Sequence, residues 1–301
     1  MSAVSPRRVE YPQGGRGDSF SPRRGEYARG GRGDSFLDTM AARSRQRAEA
    51  TARSRSLRQR RETVLAGPEP RSLGSFGSVF DVIAEVKPRS PSEGVFPLRP
   101  VAESALAYQA GGAGMISVLT EPSEFGGSMK ILQTVTAAVS IPVLAKDFLV
   151  DPIQVYEARE EGADGVLVIA RILSEETMCE VLDAVSDCGV FALLEAFDED
   201  DLVRIRREVA ERDNLLAGVN CRDLDTLEVV PERHVTLAGQ IPRGHVTVAE
   251  SAIGAGSDVE RVAALGYRAA LVGSALMRTE DPTHLLSDLV EAGRRAMTVP
   301  S

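Results

Sequence analysis

Eight short aliphatic runs recur between residues 82 and 274, amphipathic segments of helical spacing separate them, and Gly closes those segments. Together these observations predict an α/β fold, a (β/α)8 TIM barrel. The runs are VIAEVK at 82–87, MISVLT at 115–120, PVLAKD at 142–147, GVLVIA at 165–170, FALLEA at 191–196, LAGVNC at 216–221, VTVAES at 246–251 and AALVGS at 269–274. They are nearly continuous in apolar residues, as strands of a parallel sheet covered by helices must be. Between them, segments such as DPIQVYEAREEGA and EETMCEVLDAVSDCG carry helical periodicity and reach a Gly suited to a helix C-cap. Eight equal repeats in about 220 residues fit one closed barrel better than an open doubly wound sheet.

Two segments precede the barrel. Residues 1–36 hold a duplication, SPRRVEYPQGGRGDSF followed by SPRRGEYARGGRGDSF, identical at thirteen of sixteen positions. Gly, Arg, Ser and Pro dominate, and a chain with so little to bury cannot offset its ordering entropy, so a disordered extension is expected. Residues 37–66 are rich in Ala, Arg, Gln and Leu and free of Gly and Pro, which is helix composition. The expected organisation is therefore the 1–36 extension followed by a barrel domain over 37–301 that includes the helical segment 37–66.

Charge is divided the same way. Residues 1–62 contain fifteen Arg against seven Asp or Glu, while the whole chain carries −9, so an acidic body follows a basic arm. An acidic body offers no broad positive field for displacing phosphate counterions, which argues against nucleic acid as a partner. Three cysteines, Cys179, Cys188 and Cys221, lack CxxC or Cys/His metal spacing, so neither a disulfide scaffold nor a zinc module is expected and a reducing cytoplasm is the natural setting. The apolar runs are too short for a membrane span. His234, His245 and His284 are scattered, and no HExxH, EF-hand, nicotinamide fingerprint or Ser/His/Asp arrangement is evident, so the chemistry is expected to need no metal or cofactor.

In such a barrel the chemistry sits at the C-terminal ends of the strands. The runs end in Glu85 and Lys87, Lys146 and Asp147, Glu195, Asn220 followed by Arg222, Glu250 and Ser251, and Gly273 and Ser274. Six strands contributing polar residues at once point to a site. The lysines sharpen this: against 32 Arg there are three, and Lys87 and Lys146 both fall at strand ends, with Lys130 expected on a helix surface. A buried lysine can exchange a proton near neutrality, whereas guanidinium cannot, so proton-transfer or polarising roles are expected for the two. AESAIGAGSD and LVGSALM place small residues and Ser after the last two barrel strands, the usual phosphate position of this fold.

VIAEVKPRSPSEG, SVLTEPSEFGGS, VLAKDFLVDPIQVYEAREEGAD, GVNCRDL, AESAI and LVGSALM resemble, in order, the motifs of the indole-3-glycerol phosphate synthase family, over roughly 80–285. The helical segment at 37–66 is similar to the family's extra N-terminal helix over the barrel mouth. The resemblance implies ring closure of 1-(2-carboxyphenylamino)-1-deoxyribulose 5-phosphate, with loss of carbon dioxide and water, in tryptophan biosynthesis. Carried over by motif, Lys146 would be the general acid at the substrate carbonyl and Glu195 would serve the dehydration. Glu85 and Asn220 would order the hydroxyls and the ring intermediate. Lys87 would hold the anthranilate carboxylate, with Arg222 supporting that end, and Ser90, Ser251, Gly273 and Ser274 would bind phosphate. A small phosphorylated substrate, no membrane partner and a monomer or weak homo-oligomer complete the expectation.

Three positions depart from the family pattern. Ala252 stands where Gly usually follows the serine, Cys221 where a second Asn is common, and Glu93 where a basic residue is frequent. A different phosphosugar isomerase on the same scaffold, or a non-catalytic phosphate-binding module, would share the barrel and the phosphate loops. The set of two lysines and two glutamates speaks against both.

Overall fold

The computed structural model describes residues 35–97, 99–224 and 226–298, and the expectation of a disordered 1–36 falls almost wholly outside them. From Asp81 onward the chain alternates strand and helix. The strands β1 (Asp81–Val86), β4 (Met115–Leu119), β5 (Val143–Lys146), β6 (Gly165–Ile169), β7 (Phe191–Ala196), β8 (Leu215–Asn220), β9 (Thr247–Glu250) and β10 (Ala269–Val272) form the wall. They pair in parallel in the order β1-β10-β9-β8-β7-β6-β5-β4, and β1 also pairs with β4, so the sheet closes on itself. Each of the eight expected runs overlaps one strand, with ends displaced by no more than two residues. A two-stranded hairpin, β2 (Arg89–Ser90) and β3 (Gly94–Val95), lies outside the barrel and follows β1.

The helices α3 (Val101–Ala110), α4 (Met129–Ala138), α5 (Ile153–Glu160), α6 (Glu175–Asp187), α7 (Glu199–Val209), α8 (Glu232–Leu237), α9 (Gly256–Ala264), α10 (Ser274–Arg278) and α11 (Pro282–Thr298) connect successive strands or follow the last one. The expected Gly stops operate. After α5, Gly162 takes φ 90° and its N–H bonds to the Arg159 carbonyl while that of Ala163 reaches Ala158; after α6, Gly189 repeats the arrangement at φ 66°. This is the Schellman pattern, which satisfies carbonyls the helix leaves open. Every β-strand of the barrel is buried along nearly its whole length, and the core includes Ile83, Met115, Leu144, Val168, Leu193 and Val248. No described helix is long and apolar enough to cross a membrane.

The helical segment before the barrel is two helices, α1 (Phe36–Ser54) and α2 (Leu57–Leu65), rather than the single one expected over 37–66. Ser56 causes the break. Its hydroxyl accepts from the Gln59 N–H while the Gln59 side chain accepts from the Ser56 N–H, a capping box that starts a new helix. Leu37, Met40, Ala41, Ser44, Ala48 and Thr51 form the buried stripe of α1. Its arginines meet the acidic body: Arg43 bonds to Glu124 at 2.7 Å and Arg47 to Asp147 at 2.5 Å. On α2, Arg60 pairs with Glu160, and Arg61 grips Asp187 through two contacts of 2.6 Å.

Candidate active site

A cavity of about 410 Å³ opens at the C-terminal ends of the barrel strands. Nine of the ten residues singled out from sequence line it: Glu85, Lys87, Lys146, Glu195, Asn220, Arg222, Ser251, Gly273 and Ser274. Ser90, the tenth, is buried on β2, its hydroxyl 3.1 Å from that of Ser92, and is not part of the cavity wall. Lys130 is exposed on α4 and bonds to Gln133, as its sequence position implied.

Lys146 closes β5, and its ammonium lies between two carboxylates, 3.0 Å from Glu195 Oε2 on β7 and 3.0 Å from Glu250 Oε2 at the end of β9. Parallel register brings these groups to one height, with Glu195 opposite Gly218 and Asn220 opposite Glu250. Asn220 donates from Nδ2 to Glu195 Oε1 at 3.1 Å, fixing the face that glutamate presents. Burial pulls the Lys146 ammonium toward neutrality, but Glu195, Glu250 and Glu85 more than offset this, and its pKa lies above the ordinary lysine value. Burial can lower a lysine's pKa, but at this position it does not prevail. Desolvation acts as anticipated, yet three carboxylates outweigh it, so the resting group carries its proton.

Glu250 was visible at a strand end but was given no role from sequence. Burial and the neighbouring Glu195 charge raise its pKa, with Lys146 pulling the other way. Its second oxygen, Oε1, has no hydrogen-bond partner and lies where a Cβ on residue 218 would stand, so Gly218 in an otherwise aliphatic strand makes room for this carboxyl. That lone glycine within LAGVNC was the available signal. Gly273 does the same for Glu85, whose Oε2 occupies the place a side chain there would take.

A second lysine and carboxylate stand beside the first. Lys87, just past β1, has its Nζ 3.0 Å from Glu85 Oε2 and 3.4 Å from Ser274 Oγ, and lies 5.4 Å from the centre of the Phe96 ring. Burial pushes the Glu85 carboxyl up, but Lys87, Lys146 and Arg222 outweigh that, leaving it below the usual carboxylate value and ionised at neutral pH. Each lysine thus stands 3.0 Å from a buried carboxylate, an arrangement able to deliver one proton and receive another within a single cavity.

Beyond these pairs the cavity has an apolar wall, including Leu119, Phe125, Phe148, Leu167, Ile169 and Leu271, suited to a planar ring. The lining also includes Ser251, Ala252, Gly254, Gly273, Ser274 and Arg278, from the segments after β9 and β10. Ser251 and Ala252 both take positive φ, 65° and 58°, so the alanine that replaces glycine carries the backbone cost expected of it. The Ser251 hydroxyl donates to Asn220 Oδ1 at 2.8 Å, and the Gly254 and Ala255 N–H groups are both taken by Asp258 Oδ2 at 3.0 Å. The loop after β9 therefore spends part of its donor capacity internally. Phe125, Phe148 and Arg278 were not singled out from sequence; Phe125 lies inside the motif EFGGS, and Arg278 follows Ser274 by one helical turn. Among the described residues, no group of three or more His, Cys, Asp and Glu side chains is arranged to hold a metal ion.

Comparison with known proteins agrees with this geometry. The sequence model of the family described as indole-3-glycerol phosphate synthase matches residues 37–289. The chain is similar to the indole-3-glycerol phosphate synthase of Parafrankia sp. (strain EAN1pec), 40% identical over 260 residues, covering 84% of this chain and 94% of that one. It is likewise 44% identical over 213 residues to that of Kineococcus radiotolerans, covering 70% of this chain and 76% of the relative. Among solved structures it resembles 3-hexulose-6-phosphate synthase from Salmonella typhimurium, with a TM-score of 0.56, 18% identity and coverage of 72% of this chain and 99% of that chain. At that identity the likeness concerns the barrel alone. The family match over most of the barrel and the identity to full-length relatives, together with the strand-end lysines and glutamates, show that this chain belongs to the indole-3-glycerol phosphate synthase family.

Proposed function

We propose that the protein is an active indole-3-glycerol phosphate synthase, closing the indole ring of 1-(2-carboxyphenylamino)-1-deoxyribulose 5-phosphate with loss of carbon dioxide and water, without metal or cofactor. The observation that carries the reading is Lys146 Nζ held at 3.0 Å from both Glu195 and Glu250 within a cavity also lined by Ser251, Gly273 and Ser274.

Attack of the aromatic carbon on the substrate carbonyl builds charge on oxygen and leaves a dearomatised ring that must shed its carboxylate. Lys146 protonates that oxygen, the raised pKa keeping the proton in place until charge develops. Glu195, oriented by Asn220, takes part in the proton transfers of dehydration. Lys87 and Arg222 hold the anthranilate carboxylate, and Lys87 stands close enough to Glu85 to share in proton transfer, while Glu85 and Asn220 order the hydroxyls and the ring. Ser251, Gly273 and Ser274 bind the phosphate; Ser90, assigned to it by resemblance, lies off the cavity wall with its hydroxyl 3.1 Å from that of Ser92. The apolar wall excludes water from the ring and strengthens each of these electrostatic contacts. Cytoplasmic action accords with the three free cysteines, and the proposed state is a monomer or weak homo-oligomer.

The test is turnover of that substrate, followed by fluorescence of the indole product, for the wild type and Lys146→Ala. The variant is expected to lose roughly 10²–10⁴-fold in kcat, the usual worth of a positioned acid. Absence of turnover by the folded wild type on verified substrate would reject the activity, and an unimpaired variant would reject the assigned acid.

A further inference from the structure

Glu93 lines the cavity beside Ser274, one of the groups expected to receive phosphate. It lies at the tip of the β2–β3 hairpin, immediately before Gly94, whose φ of 74° allows the tight reversal. The base of the hairpin is bolted down. Arg89 donates from Nε to the Glu124 carbonyl at 2.9 Å and also to the Ser123 carbonyl, and its N–H reaches the Phe125 carbonyl at 3.2 Å. The tip instead rests on the cavity's own polar groups. Ser92 Oγ accepts from Arg222 Nη1 at 2.8 Å, Glu93 accepts from the Ser274 hydroxyl, and Arg278 Nη2 lies 3.9 Å from the same Glu93 oxygen.

A hydroxyl has one proton to donate. While Ser274 donates to Glu93, it cannot donate to a phosphate, and a carboxylate at that place repels a phosphoryl dianion. We propose that Glu93 is an internal stand-in for the substrate's phosphate: the hairpin tip takes the Ser274 hydroxyl, and substrate binds by displacing Glu93 from it, so Glu93 sets the affinity for the phosphorylated substrate. The proposal rests on the reading of the cavity as the site of indole-3-glycerol phosphate synthesis, and it adds a competing anion built into the chain. The side chain is a quarter exposed, at 26%, and its anchors are a hydroxyl and a surface arginine, so the tip can swing out about its fixed base without opening the barrel. Position 93 thereby acquires a reason for mattering beyond loop geometry.

The experiment compares wild type, Glu93→Gln and Glu93→Ala at constant ionic strength. Inorganic phosphate is titrated calorimetrically into each, and KM and kcat are measured with the carboxyphenylamino-deoxyribulose phosphate. Removing the competing charge is expected to tighten phosphate binding about tenfold and to lower KM in the same direction. Adding Ser274→Ala to Glu93→Gln is expected to abolish the gain in phosphate binding, because the freed hydroxyl is what the anion takes. Thermal melting verifies that the variants are folded. If both variants bind phosphate no more tightly than wild type, or more weakly, Glu93 is a brace for the hairpin and the proposal is overturned. If phosphate binding tightens yet no protein turns over the substrate, the stand-in is supported and the catalytic reading is what has failed.

Discussion

Lys146 has the same residue type, strand-end position and burial that would make a depressed, near-neutral lysine, yet its neighbours reverse the sign. Glu195 and Glu250 at 3.0 Å, with Glu85 behind them, stabilise the ammonium by more than burial destabilises it. His234 shows the opposite outcome. It is fully buried, neither ring nitrogen has a hydrogen-bond partner, and the ring of Tyr267 stands edge-on at 5.4 Å. Burial, helped by the nearby Arg261 and Arg233 charges and opposed in part by the Val219 and Glu250 carbonyls, pushes it down to about 4. With a folded pKa below the unfolded value, the unfolded chain gains its proton first as pH falls. The stability this residue contributes is therefore complete above about pH 6.5 and is lost as pH falls toward 4, to the extent of up to about 3 kcal/mol. Urea unfolding between pH 7 and 4.5 should show a shallower acid loss in His234→Phe than in wild type; parallel pH curves would show that the residue is not the cause.

Element boundaries are decided by local chemistry that a composition reading passes over. The break between α1 and α2 comes from one Ser and one Gln at capping-box spacing, and the ends of α5 and α6 come from Gly162 and Gly189. At the start of β6, Asp164 is almost wholly buried and receives the Arg71 N–H at 2.7 Å, the Arg71 guanidinium at 2.9 Å and the Val143 N–H at 2.9 Å. The same guanidinium donates to the Thr136 and Val139 carbonyls at the C-terminal end of α4. One side chain thus ties the segment before the barrel to two βα units, at the end of the strands opposite the cavity. Arg71→Ala leaves buried Asp164 with the more distant Arg159, 3.7 Å away, as its counter-charge, and is expected to lower stability by about 2 kcal/mol. The kcat of the folded fraction should stay near that of wild type, because the change lies at the far end of the strands. Chemical denaturation read beside steady-state kinetics checks both, and a large loss of kcat at permissive temperature would contradict the separation of the two ends.

Across the whole molecule, the basic arm and acidic body divide at a functional place. The edge of α1 meets the cavity: the Phe36 ring contacts Phe148 at 6.2 Å, Phe148 lies 6.1 Å from Phe125, and Arg47 holds Asp147 next to Lys146. Removing residues 1–34 should leave kcat/KM within about twofold of wild type, since the family match begins at residue 37. Removing 1–56 uncovers Phe148 and leaves Asp147 without Arg47, and should lower kcat/KM roughly tenfold or more through loss of positioning. Kinetics of the two truncations, with melting temperatures to control for folding, distinguish the contributions; a collapse in the shorter deletion would assign a role to the duplicated arm.

The sequence by itself determined the barrel, because eight aliphatic runs at regular spacing leave parallel pairing as the way to bury both faces, and a closed barrel as the way to leave no edge. It also placed nine of the ten chosen residues at one cavity, since strand ends in this fold share a mouth. Interactions between groups distant in sequence were decided only by the tertiary structure. The sign of the Lys146 shift depends on charges 49 and 104 positions away. The place of Glu250 depends on a glycine in the neighbouring strand, and the grip of Glu93 on Ser274 spans 181 positions. Periodicity and composition are properties of neighbours along the chain, whereas Coulomb energy, desolvation and competition for one proton depend on neighbours in space.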